Sequence, residues 1–473
     1  MSTPETRFRQ GQQLVANQRY DSPDFTRGLE LLREAGAAGH AEAQFALGQV
    51  YSQIHLLPDA RQQAAHWYGQ AAGQGHPMAM DRLADLHLLG YGVPRDDRKA
   101  FAWFERVAAQ CHPHALCTLA YLHDAALGTE FDPVAATGCY LTAAAQADPR
   151  GLFNLGLHYS EGRGVARHPE AALACLSLAA FANYPLAQEL AEQHRARLDA
   201  ASCKRAANLE LRLRERLRAF QTYLETHPDP VSNPAALLDF AHSNLAQLGE
   251  PVFSHDPAMR AQTGEIRPSN PHQPSAPKML STTPRIFTIE SFISNSERAQ
   301  ILALAAQDMQ PAARVRDRIS REHVAFTGSL ATFALPGYDV VMRNVERRIA
   351  SAFNLPVAHV EPLSVLRYGM QDHYAPHVDY FDSARLAHNQ AIGDLSGQRI
   401  ASFLVCLNAP QQGGETHYLK LGLKVAGRAN MALCHFNLTP TGDTDAATLH
   451  TGEPVLAGEK WLARTTLREA PLY

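Results

Sequence analysis

Residues 367–379 read Arg-Tyr-Gly-Met-Gln-Asp-His-Tyr-Ala-Pro-His-Val-Asp, and residues 450–461 read His-Thr-Gly-Glu-Pro-Val-Leu-Ala-Gly-Glu-Lys-Trp. His377 and Asp379 are two positions apart. On a strand or its immediate extension, residues i and i+2 point to one side, so both side chains can reach one ion. His450, from a distant strand, is the candidate third ligand. Two neutral imidazoles and one carboxylate with open positions suit non-haem Fe(II) oxygen chemistry. H-x-D alone is a weak signal. Five of the 23 histidines begin H-x-Asp or H-x-Glu, namely His40, His168, His227, His359 and His377. The first four read as solvated or capping residues on repeat helices, at a helix end or before a strand. His377 stands apart through its neighbours: Tyr368 nine residues before it, and Lys460 ten residues after His450.

Outward from this core, the last third of the chain reads as helices followed by many short strands. Ile286–Ile289 predicts a strand, Ser294–Gln307 a helix opened by a serine cap, and Gly337–Phe353 a second helix. Strands are expected at Pro362–Tyr368, Ile400–Leu407, Thr416–Val425, Met431–Phe436, Pro454–Leu456 and Lys460–Leu467. That order predicts a β-sandwich or jelly roll with helices on one side. The polar stretch 382–398 reads as a long loop, a lid or an insertion. Arg399 reads as an ion pair or a substrate contact. Lys460 could also be an edge-strand lysine, and His373, His417 and His435 read as surface or core residues.

The first half repeats. Ala43, Ala79, Ala115, Gly151 and Ala187 are 36 residues apart, as are Leu47, Leu83, Leu119 and Leu155. Two further alanine series keep the same step, Ala64 to Ala172 and Ala72 to Ala180. Parallel series at one period indicate a repeat array. Each unit reads as two helices joined by a glycine-containing turn, as in Gly90-Tyr-Gly92 and Gly162-Arg-Gly164. One such hairpin cannot bury its own apolar face, so neighbours must stack into a solenoid. The third unit departs from the pattern, with Leu127-Gly128-Thr-Glu-Phe in place of the turn.

Between the halves, residues 200–228 predict a long amphipathic helix capping the array, and 233–249 a further helix. Residues 251–284 hold seven prolines and read as a linker or extended segment. The expected division is 1–27 lead-in, 28–198 repeats, 199–280 cap and linker, and 281–473 the metal-bearing domain.

The repeat half resembles the Sel1-like repeats, relatives of the tetratricopeptide repeat. From about Pro284 to Tyr473 the chain resembles the 2-oxoglutarate-dependent Fe(II) dioxygenases, and within them the prolyl 4-hydroxylase catalytic-domain family. The resemblance rests on the two opening stretches together with Phe287–Ser294, Arg399-Ile-Ala-Ser402 and Gly413-Gly-Glu-Thr416. It implies an N-terminal α-solenoid and a C-terminal double-stranded β-helix (jelly roll) with flanking helices. It implies His377, Asp379 and His450 as iron ligands, and Lys460 as the cation holding the distal carboxylate of 2-oxoglutarate. Tyr368 matches the assisting tyrosine, and Ser402 stands where the family often carries threonine. The implied reaction hydroxylates a prolyl residue of a protein or peptide recruited by the repeats, consuming O2 and releasing succinate and CO2, with ascorbate a candidate reductant. Hydroxylation of another residue or a small molecule, and a non-catalytic repeat scaffold, are the alternatives.

The net charge of −4 disfavours nucleic acid as partner. No stretch approaches 18 apolar residues, and the N-terminus carries no apolar segment of a signal peptide. Seven cysteines without a CxxC pair point to reduced thiols and a cytoplasmic setting.

Overall fold

The computed structural model describes residues 3–16, 22–53, 59–110, 112–226, 239–240, 242–245, 272–311, 326–333, 339–391 and 394–472. The chain divides into two compact units, 1–271 with 335–337, and 272–334 with 338–473.

The first unit is helical. Its elements are α1 Pro4–Val15, α2 Pro23–Ala37, α3 Ala41–Gln53, α4 Ala60–Gly73, α5 Pro77–Leu89, α6 Asp97–Ala108, α7 Pro113–Ala125, α8 Pro133–Ala145, α9 Pro149–Glu161, α10 Pro169–Phe181, α11 Ala187–Arg197 and α12 Ala200–Thr226. Proline opens many of them because its missing N–H costs nothing in a first turn. Side chains of His76, Asp132, Asp148 and His168 accept from the exposed amides there. Helices pack on their neighbours in sequence, as a solenoid requires. Ala64, Ala100, Ala136 and Ala172 are fully buried, so the 36-residue series marks where helices approach most closely.

The turns explain the glycines. Gly90 and Gly162 end their helices at φ 69° and 74°, and Ala126 holds the equivalent place at φ 54°. Two residues on, a Cβ at Gly92, Gly128 or Gly164 would lie 2.1, 2.0 or 1.9 Å from the carbonyl oxygen of Arg61, Asp97 or Pro133. The third unit therefore keeps the glycine that matters, and it departs from the motif at a left-handed Ala126 and at Thr129, where the other turns carry valine. The predicted capping helix is α12. The helix expected over 233–249 lies largely outside the described residues. Among the described residues, no helix is long and apolar enough to cross a membrane.

The second unit is a two-sheet jelly roll. Its strands are β1 Lys278–Thr282, β2 Arg285–Ile289, β3 Gln310–Pro311, β4 Ser329–Thr332, β5 Ser364–Tyr368, β6 Tyr374–His377, β7 Arg399–Cys406, β8 Gln412–Gly413, β9 Thr416–Tyr418, β10 Leu423–Val425, β11 Ala432–Phe436, β12 His450–Gly452, β13 Val455–Ala457 and β14 Lys460–Arg468. The large sheet runs β1-β2-β11-β7-β14-β5-β4-β3, the smaller one β10-β9-β12-β6, and β13 pairs with β8. Leu366, Tyr368, Leu404, Cys406 and Leu462 of the large sheet share a core with Tyr418 and Val425 of the smaller one. Among the described residues three α-helices accompany the sheets: α13 Asn295–Asp308, α14 Val340–Ala352 and α15 Ser383–Ala391.

Several expectations need correction. The run Thr416–Val425 is a hairpin, β9 and β10, turning at Gly422 with φ 63°. The second helix begins at Val340, where Asp339 accepts from the Val341 amide, rather than at Gly337. The polar stretch 382–398 contains α15, started by Asp382 accepting from the Arg385 amide, and buries Asn389, Ser396 and Gln398. β1 lies inside the stretch read as linker, paired with β2.

Candidate metal centre

His377 ends β6 and His450 begins β12, and the two are register partners across adjacent antiparallel strands. Pairing thus brings together histidines 73 positions apart in the sequence. Asp379 follows two residues after His377 and turns to the same side. One ligand atom from each of the three residues lies within 4.8 Å of the others. Nε2 of His377 is 3.7 Å from Oδ1 of Asp379, and Nε2 of His450 is 3.9 Å from Oδ2.

The protonation states suit a cation. Nδ1 of His377 donates to the Ala375 carbonyl and Nδ1 of His450 to the Thr448 carbonyl, both at 2.9 Å. Those bonds place each ring proton on Nδ1 and leave each Nε2 lone pair facing the cluster. Burial pushes His377 down and His450 down to about 3, so both rings are neutral near pH 7. Burial alone would raise Asp379, but His435, His450 and His377 hold its carboxyl well below the usual range. Two neutral nitrogens and one carboxylate oxygen, all buried or half-buried, fit Fe(II) by donor set.

Two residues support Asp379 that the sequence did not single out for this role. His435 on β11 is fully buried, with Nε2 3.3 Å from Oδ2 of Asp379. The Tyr418 hydroxyl lies 2.9 Å from Nδ1 of His435. With Tyr418 donating, the His435 proton sits on Nε2, which is close to the carboxylate but outside hydrogen-bond geometry. His435 is thus a close buried neighbour of Asp379 and does not belong to the three-residue cluster. Tyr374 stacks on His377, ring centroids 3.8 Å apart.

A small pocket opens from the cluster. Leu366, Tyr368, Leu404, Lys460, Leu462 and Arg464 face it along with His377, Asp379 and His450. Lys460 is 4% exposed on an interior strand, which removes the edge-strand reading. Its Nζ donates to the Gly414 carbonyl at 2.7 Å and sits 5.0 Å from the centre of the Tyr368 ring. Burial lowers the Lys460 pKa and raises that of Tyr368.

Ser402 is not brought to this pocket. On β14 it stands opposite Thr466, six residues past Lys460, or roughly 20 Å along an extended chain. Its hydroxyl accepts from Nδ2 of Asn437 at 3.1 Å and is buried. Arg399 pairs with Glu361 through two contacts of 2.9 and 2.7 Å and is a structural ion pair. The capping reading of His40 and His168 holds, since each accepts a backbone N–H three residues on. His227 lies outside the described residues. Arg464 was missed, although the alternation Lys460-x-Leu462-x-Arg464 puts it on the pocket side of its strand.

Residues 363–467 match the 2OG-Fe(II) oxygenase superfamily, and residues 19–40, 41–76, 77–110 and 149–184 match the Sel1 repeat. Probable prolyl 4-hydroxylase 7 of Arabidopsis thaliana is 34% identical over 210 residues, which cover 40% of this chain and 64% of that protein. Prolyl 4-hydroxylase 2 of Arabidopsis thaliana is 31% identical over 219 residues, covering 41% of this chain and 71% of that protein. A solved structure of a viral collagen prolyl hydroxylase from Paramecium Bursaria Chlorella virus-1, in complex with 2OG, aligns with a TM-score of 0.30 and 23% identity over 39% of this chain and 95% of that one.

Proposed function

We infer the activity from one premise: the chain belongs to the prolyl 4-hydroxylase family of 2-oxoglutarate- and Fe(II)-dependent oxygenases. On that premise it hydroxylates a prolyl residue of a protein or peptide, with release of succinate and CO2. The observation that carries this reading is the convergence of His377, Asp379 and His450 in one pocket with the buried ammonium of Lys460.

The iron and cosubstrate would supply the oxidising chemistry, and the chain's own residues prepare the site for them. Ala375 and Thr448 carbonyls fix the two imidazoles, and His435 packs beside the carboxylate. Lys460 provides a positive charge deep in the pocket, where a carboxylate left unpaired would be costly. Leu366, Leu404 and Leu462 line the walls and limit water around the reacting groups.

The repeats serve as the recruiting surface for the polypeptide target, since solenoids offer extended faces to partners. Ascorbate acts as reductant, and the setting is cytoplasmic, in keeping with six described cysteines that are all free thiols.

The test is succinate formation by the full-length chain with Fe(II), 2-oxoglutarate and proline-containing peptides, alongside mass spectrometry for a gain of one oxygen on proline. Peptide-stimulated succinate that disappears in His377→Ala supports the reading. Equal succinate from both proteins refutes it. Photo-cross-linking of a modified target to the full chain tests recruitment, and adducts confined to residues 272–473 would refute it.

A further inference from the structure

Two cations line the pocket, Lys460 buried and Arg464 half-buried. Lys460 and Arg464 lie four residues apart on β14, with Leu462 between them, and all three face the pocket. Among the described residues no carboxylate forms an ion pair with either. Lys460 donates to a backbone carbonyl, and among the described residues the Arg464 guanidinium makes no hydrogen bond, though the charges of Asp379 and Glu361 act on it. A buried ammonium without a carboxylate partner is expensive, and a half-buried guanidinium facing the same pocket has donors to offer a ligand. A ligand carboxylate would remove the cost at Lys460, and a second one would meet the donors of Arg464.

The two cations sit at different ends. Lys460 is anchored at Gly414, over the Tyr368 ring. Arg464 stands opposite Ser364 on β5 and Leu404 on β7, displaced along the strand by roughly 13 Å of backbone. Tyr368, the register partner of Lys460, lies beside Gly452 of β12, two residues past His450, and Arg464 lies farther along the pocket that His377 and Asp379 line. Arg464 is therefore the cation at the metal-ligand end of the pocket.

We propose that Arg464 contacts the carboxylate of the 2-oxoacid end of the cosubstrate, so that the pocket grips its ligand by a cation at each end. This rests on the cosubstrate being 2-oxoglutarate, and it adds a specificity-determining residue to that reading. Lys460 selects for the distal carboxylate. Arg464 selects for the acid beside the keto group, whatever the length of the rest of the molecule. A planar guanidinium with two parallel N–H donors matches a carboxylate better than an ammonium does.

The experiment is calorimetric binding to the full-length chain loaded with Mn(II) under anaerobic conditions, with 2-oxoglutarate and 2-oxopentanoate as the two probes. The second probe keeps the 2-oxoacid end and lacks the distal carboxylate. Arg464→Gln should weaken both probes by a similar factor, about ten- to hundredfold for a charge-assisted hydrogen bond. Lys460→Gln should weaken 2-oxoglutarate and leave 2-oxopentanoate within about twofold. Arg464→Lys keeps the charge with a poorer fit, and should lie between wild type and Arg464→Gln; it is the variant read if Arg464→Gln does not fold. Loss of 2-oxoglutarate binding alone in the Arg464 variants would place the residue at the distal end and overturn the proposal. Unchanged affinity for both probes with a raised KM for the peptide would assign it to the hydroxylation target instead, and also overturn it. If the wild-type chain binds neither probe, the cosubstrate reading falls, and the proposal with it.

Discussion

Replacing Glu297 with Gln should destabilise the β-rich unit by an amount that depends on pH in a defined way. Glu297 is the third residue of α13, where it completes a capping box with Ser294 and accepts the Ser294 amide at 2.8 Å. Arg348 on α14 reaches the same carboxylate with two nitrogens, at 2.7 and 3.1 Å, and also donates to the Phe292 carbonyl. Burial alone would raise the Glu297 pKa, but Arg348 and the Ser294 amide hold it at about 2 against an ordinary 4.5. At 1.36 kcal/mol per unit, that difference is worth about 3 kcal/mol. The folded-state pKa is depressed, so this stability is fully present above pH 4.5 and fades as pH falls through 2. Glu297→Gln should therefore cost about 3 kcal/mol at pH 7, roughly half of that at pH 3, and almost nothing near pH 2. The assay is urea unfolding read by hydrogen exchange in peptides from 295–308 and 340–352, because a global signal would mix the two units. A cost under about 1 kcal/mol at pH 7, or one equal at pH 7 and pH 3, would refute the reasoning.

Three further outcomes are expected. Asp379→Ala should lower Mn(II) affinity at least about hundredfold in a titration of the metal alone, while circular dichroism of the repeats stays unchanged; retained affinity would sink the ligand assignment. His435→Leu should weaken the same affinity about ten- to hundredfold by freeing the Asp379 carboxylate, and a change within twofold would make His435 mere core packing. Gly164→Ala places a methyl 1.9 Å from the Pro133 carbonyl oxygen at a left-handed position, and should cost more than about 2 kcal/mol by thermal unfolding of the repeats. Gly73→Ala, where the methyl meets nothing within 4 Å, is the control and should change stability by less than about 0.5 kcal/mol.

What the sequence made legible and what it hid follow one physical division. Features set by local spacing could be read. The 36-residue alanine period follows from helix pairs that repeat their own packing, and the third unit keeps it through buried Ala115, Ala136 and Ala144 while Gly128 keeps the turn. H-x-D could be read because i and i+2 share a side of a strand whatever lies around it. Lys460 could be read because it keeps a fixed distance from His450. Features set by strand register could not. Ser402 looked like a pocket hydroxyl by its place in a motif, yet pairing with β14 carries it to Thr466, beyond the reach of Lys460. His435 looked like an ordinary core residue within Ala-Leu-Cys-His-Phe. The order β11-β7 in the large sheet, with Tyr418 reaching across from the smaller one, makes it the partner of Asp379.

Arg464 falls between the two cases. Its alternation with Lys460 was on view in the sequence, but an arginine on a strand reads as a solvated residue until its neighbours are known. Its neighbours are Ser364 and Leu404, neither of them acidic, on interior strands of the large sheet. A half-buried guanidinium facing the metal-ligand pocket, with no ion pair among the described residues, is what a surface reading would not anticipate. It is also why the pocket calls for an anion at its metal end as well as at Lys460.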